Sequence, residues 1–208
     1  MPKKAKRVST STLQDLVVRS LLIVFSVLLA LFLDGIREQQ MVTANLTTAY
    51  RSTRIELESN RDTLNALVEY HRQSMARLDS LLQSRGSIAF TSEFAGVVAQ
   101  ILPEGLLLPD LQNAAWSTMH STGLLNNLKF EDVYAFTKLY ALQKTGMQAA
   151  PTELTKFLSQ SERFEKQHHA ASLNALRSLL NQLYEQEKHL LNETNTVLNA
   201  GQNWRYLE

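Results

Sequence analysis

Thirteen consecutive residues, Leu21-Leu-Ile-Val-Phe-Ser-Val-Leu-Leu-Ala-Leu-Phe-Leu33, contain one serine and no charge. As a helix this run covers about 20 Å, short of a hydrocarbon core of about 30 Å. Leu16, Val17 and Val18 precede it and Ile36 follows. A span from about Leu16 to Ile36 reaches about 30 Å, provided that Arg19 extends its aliphatic stem toward headgroups. A segment that is apolar all round has three uses. A buried core helix needs protein on every side, which a chain of 208 residues can hardly supply. A cleaved signal peptide needs a small-x-small site, and Ala30-Leu-Phe-Leu-Asp-Gly offers none in place. An uncleaved signal anchor fits both the length and the flanks.

The flanks also predict a direction. Lys3, Lys4, Lys6, Arg7 and Arg19 lie on the N-terminal side, whereas Asp34, Arg37 and Glu38 open the other. The excess of basic residues places the N-terminus in the cytoplasm. The expected layout is a short cytoplasmic basic tail over 1–15, a transmembrane anchor over 16–36 and an extracytoplasmic helical domain over 37–208. In a bacterium the location is the inner (plasma) membrane with a periplasmic domain. A tail of about 15 residues leaves no room for a cytoplasmic output domain.

Composition removes several function classes. Lys and Arg total 21 against 20 Asp and Glu, a net charge of +1, which argues against nucleic acid as a partner. There is no cysteine, hence no disulfide, thiolate zinc site or cysteine nucleophile. Seven Gly, four Pro and no sustained period-two alternation predict an all-α fold.

No Gly or Pro interrupts the chain from Ile36 to Arg85. Leu46, Tyr50, Leu57, Leu64, Leu67, Leu78 and Leu81 recur there at spacings of three and four, with polar Thr53, Asn60 and Ser74 at some seam positions. This reads as a long amphipathic helix over about 37–85, continuous with the anchor and stopped at Gly86. Shorter helices are expected over about 91–145. Thr91 or Ser92 caps one, Asp110 to Ser121 forms the next, and Leu124–Leu128 is a connector. Phe130 to about Lys144 follows, with stops at Gly123 and Gly146. Pro151 suits a helix first turn, and a second long helix is expected over about 151–200, with a seam at Leu173, Leu176, Leu180, Leu183, Leu190 and Val197 and a stop at Gly201. Two matched seams are most simply buried antiparallel, with the short helices as a distal cap. Trp204 and Tyr206 would then return to the extracytoplasmic membrane interface, with Arg19 at the cytoplasmic one. Bent helices in a squat bundle are the alternative.

No catalytic constellation, cofactor motif or metal set is expected. Glu165-Lys-Gln-His168 has the Glu-x-x-His spacing of di-metal bundles but lacks a second copy, and Glu185 with His189 or Glu69 with His71 is wrongly spaced. No nucleophile elbow or phosphate loop is present. The densest segment runs from Ala114 to Gln143, where Val133, Phe136, Leu139 and Tyr140 should face inward around Trp116. Trp116, His120 and Tyr140 there form a ligand pocket or a packing cluster.

That segment has a Trp, then Thr122-Gly-Leu-Leu125, then a helix ending Leu139-Tyr-Ala-Leu-Gln143. Together with the anchor exit Leu33-Asp-Gly-Ile-Arg-Glu38, it resembles an uncharacterised family of bacterial single-pass membrane proteins. The resemblance covers about a third of the chain. It implies architecture and location, and carries no activity or functional residue. The expected function is a structural or protein–protein interaction component, not an enzyme. Its expected partners are the lipid bilayer and another membrane or periplasmic protein or a second copy. Its rival is a small-ligand sensor acting through a partner membrane protein. For an interaction role, Thr53, Asn60 and Ser74 should weaken the internal seam and leave surface for the partner.

Overall fold

A computed structural model describes residues 10–84, 94–147, 149–159 and 169–201, without the side chains of 10–15, 94, 169 and 170. Everything described is helix or connector, with no strand among the described residues, so the fold is all-α. The helices are α1 (Thr10–Gln83), α2 (Phe94–Ile101), α3 (Ala114–Ser121), α4 (Phe130–Ala141), α5 (Ala149–Ser159) and α6 (His169–Ala200). A 3₁₀ turn at Leu124–Asn127 enters α4, and a wider π turn at Leu142–Gly146 leaves it.

The chain divides into two compact units, Met1–Leu46 and Thr47–Glu208. In the first, the large residues from Leu16 to Ile36 are all exposed, Phe25 by 62% and Phe32 by 65%. This is one helix long and apolar enough to cross a membrane, near the N-terminus and unburied. Ser26 returns its hydroxyl to the Leu22 carbonyl at 2.8 Å, which satisfies a polar group within the apolar stretch.

The second unit is built on the two seams. Tyr50, Thr53, Leu57, Asn60, Leu64, Leu67, His71, Ser74 and Leu78 are buried on α1, at alternating steps of three and four. Leu173, Leu176, Leu180, Leu183, Glu187, Leu190, Thr194 and Val197 are buried on α6 at the same steps. His71 meets Glu187, and eight residues on Asp79 meets Arg177, ten residues earlier on α6. The long helices therefore run antiparallel.

The short helices serve both ends of this pair. At one end Val97 and Ile101 of α2 and Leu154 and Phe157 of α5 pack with Leu78, Leu173, Leu176 and Leu180. At the other, Phe136, Leu139 and Tyr140 of α4 pack with Tyr50, Leu57, Leu64, Leu190 and Val197. The expected distal cap is thus α2 and α5 alone, while α3 and α4 lie along the opposite half. The expected helix over 151–200 is also divided. In one straight helix Leu154 and Leu180 would stand about 39 Å apart. They share a core instead, so α5 is folded back on α6. No Gly or Pro forces this reversal. It buries the apolar face of α5, which a straight helix would leave uncovered. Gly123 (φ 71°) occupies the left-handed position after α3, as its stop role requires. The expected stop at Gly86, the cap at Thr91 or Ser92 and the basic tail lie outside the described residues.

Candidate functional site

The polar residues of α1 organise the densest part of the second unit. Glu56 is buried and accepts hydrogen bonds from the Tyr140 hydroxyl and from the Ala115 amide, the latter at 2.8 Å. Ala115 belongs to the first turn of α3, whose amides have no partner within the helix. Asn113, at the cap position, makes no side-chain cap bond, so a carboxylate from another helix supplies the acceptor and faces the positive dipole end. Four residues further along α1, Asn60 donates to the Gln112 carbonyl and accepts from the Gln112 amide, both at 2.8 Å. Gln143 also donates to that carbonyl at 3.0 Å. The helix expected from Asp110 therefore starts only at Ala114, because the Gln112 backbone is held by Asn60. Tyr50 donates to Asp132, in the first turn of α4, at 2.6 Å. Burial, with Glu56 next in weight, drives the Tyr140 phenol well above its usual range, so it remains a donor.

The predicted cluster is brought together. The Trp116 ring lies on Tyr140 at 5.3 Å and 6°, with Phe136 at 6.1 Å and the exposed His120 at 6.5 Å. A groove of about 300 Å³ opens on another side of Tyr140, lined by Asp110, Asn113, Gln143 and Lys144 but by neither Trp116 nor His120. Arg19 is exposed within the apolar stretch of α1. Trp204, Tyr206, Glu165 and His168 lie outside the described residues.

Thr53, Asn60 and Ser74 do not offer surface to a partner. All three are buried. Asn60 holds Gln112. Ser74 donates to the Tyr70 carbonyl at 2.9 Å and accepts from Arg77, which in turn donates to the Ile101 carbonyl at the end of α2. Polar seam residues can serve a core when the neighbouring element brings backbone groups that need partners.

Two features escaped the sequence reading. The first is His71–Glu187, Nδ1 to Oε2 at 2.8 Å, with both side chains wholly buried and with Nε2 and Oε1 lacking partners. Its signal was the heptad phase, since 67-71-74-78 and 183-187-190-194 put both residues on the seams. A search for Glu-x-x-His on one helix passes over a pair formed between two. Among the described residues no group of three or more His, Asp or Glu converges on a metal position. The second is on α4, where Phe130 is 77% and Tyr134 63% exposed and the two rings stack at 6.3 Å.

No protein-family model, curated protein or solved structure matches the chain.

Proposed function

We propose that the chain is a single-pass membrane-anchored protein whose helical head works outside the cytoplasm as a structural or protein-docking component. The observation that carries this reading is the exposed apolar stretch Leu16–Ile36, attached to a head in which buried Glu56 and Asn60 are engaged in holding its own helices. The basic residues before the stretch support a cytoplasmic N-terminus and a bacterial inner-membrane location. The partner is another membrane or extracytoplasmic protein, and the docking face is the outer ridge of α4. Stacked, exposed Phe130 and Tyr134 offer the rigid aromatic surface that protein interfaces favour.

A photoreactive amino acid at Tyr134, set against one at exposed Lys188, tests the reading in native membranes. The expected result is a discrete adduct at 134, absent at 188 and identified by mass spectrometry. Monomer alone at both positions, at native expression level, would overturn the docking role. Because the chain has no cysteine, a Cys introduced at 134 tests the side separately. A membrane-impermeant maleimide should label it in cells with an intact inner membrane. Labelling only after lysis would reverse the topology.

A further inference from the structure

We infer that His71 and Glu187 form a pairing lock, which selects the register of α6 on α1 and keeps each α1 seam from pairing with the α1 of another copy. The apolar layers cannot make this choice. Leu57, Leu64 and Leu78 on α1 face a ladder of Leu173, Leu176, Leu180, Leu183 and Leu190 on α6, all buried. A slide of one heptad can still set Leu78 against Leu173 and Leu67 near Leu183, and apolar burial has no directional preference.

The His71–Glu187 layer distinguishes these arrangements. In the native register the imidazole and carboxylate meet at 2.8 Å inside the seam. A seven-residue slide puts His71 opposite Leu180 or Thr194, and Glu187 opposite Leu64 or Leu78. The carboxylate is then buried against an alkyl chain without a donor, which is strongly unfavourable. Two α1 helices side by side would set His71 on His71 with no carboxylate, and two α6 helices would set Glu187 on Glu187. Only α1 with α6, in one register, matches the groups.

The pair is an inefficient way to fill space, because Nε2 and Oε1 have no partners. A leucine pair would bury the layer with no polar group to satisfy, so the pair serves specificity ahead of stability. Glu56 holds α3 and α4 to α1, Asn60 holds the segment before α3, and neither makes a hydrogen bond to α6 itself. Self-pairing is a real competitor if copies share a bilayer, since N-terminal anchors would hold their α1 helices parallel. That part rests on the membrane reading above, whereas the register part does not.

The cysteine-free chain allows a direct test. Asp79→Cys with Arg177→Cys reports the native register, because these side chains already touch. Asp79→Cys with Tyr184→Cys reports a one-heptad slide. Leu67→Cys reports contact between two α1 seams. The unaltered lock should give the 79–177 disulfide alone. His71→Leu with Glu187→Leu should hold or raise the melting temperature and increase the 79–184 product several-fold in detergent, and the 67–67 dimer in membranes. The charge-swapped pair, His71→Glu with Glu187→His, should return to 79–177 alone. If the leucine pair does not fold, Glu187→Met, which keeps the length of the side chain and removes the acceptor, should produce the 79–184 product. A leucine pair or Glu187→Met protein that keeps only 79–177 and stays monomeric would overturn the lock. Slippage in detergent without dimers in membranes would retain the register role and remove the self-pairing role.

Discussion

The two halves of the head bury similar helices by different means. The half formed with α2 and α5 is an aliphatic core, in which Leu78, Ile101, Leu154, Leu173, Leu176 and Leu180 are wholly enclosed. The half formed with α3 and α4 is aromatic and polar, with Phe136 and Trp116 packed beside Tyr50 and Tyr140, which are tied to Asp132 and Glu56 respectively. The first is held by area removed from water, which is non-directional. The second is held by specific atoms, which set where α3 and α4 begin. An aliphatic core tolerates rearrangement but responds strongly to lost volume. A polar core responds to the loss of a single acceptor.

The contrast can be broken first at Leu180. Leu180→Ala should destabilise the head by about 2–5 kcal/mol through lost burial and the cavity left behind, read as a lower denaturation midpoint. Next is Glu56→Ala, which leaves the Tyr140 hydroxyl and the Ala115 amide without their buried acceptor. The expected cost is about 2–4 kcal/mol. Hydrogen exchange should accelerate at the start of α3 while the Leu154–Leu180 core stays protected. Equal acceleration in both halves would remove the distinction. Asn60→Ala should cost about 1–3 kcal/mol, from two lost bonds to Gln112, with faster exchange at that amide.

Alkaline titration sharpens the same comparison. The Tyr140 phenol is raised above its ordinary value of about 10. The folded state therefore binds this proton more tightly than the unfolded state. The resulting stability is complete below about pH 10 and erodes as the pH climbs from there toward the folded-state value. Tyr140→Phe should flatten that part of the stability curve, while Leu180→Ala lowers it without changing its slope. The smallest effect is expected at Arg177→Ala. This exposed contact to Asp79 should leave the denaturation midpoint unchanged within error.

Much of this was legible along the chain. The unburied apolar stretch, the all-α class, the leucine seams and the stop at Gly123 each follow from local pattern. Trp116 and Tyr140 stack on one another, because a Trp and an inward helix face at that spacing have few other places to go. Along the chain Thr53, Asn60 and Ser74 read as surface for a partner, yet all three are buried. For Asn60 the reason is the backbone group it serves, and Gln112 lies 52 residues away. The break between α5 and α6 left no Gly or Pro signal, because the burial it gains involves α2 and α1, both distant in sequence.

The sequence alone determined that the chain is helical, that one segment suits lipid, and which faces of α1 and α6 are apolar. Those properties depend on neighbours within a few turns. Tertiary structure decided which seam faces which, in what register, and what the buried polar groups hold. His71 and Glu187 are unremarkable polar residues on their own helices. They become a pair only because antiparallel packing brings together positions 116 residues apart. Hydrogen-bond satisfaction in a dry interior depends on the atoms that arrive from elsewhere in the chain.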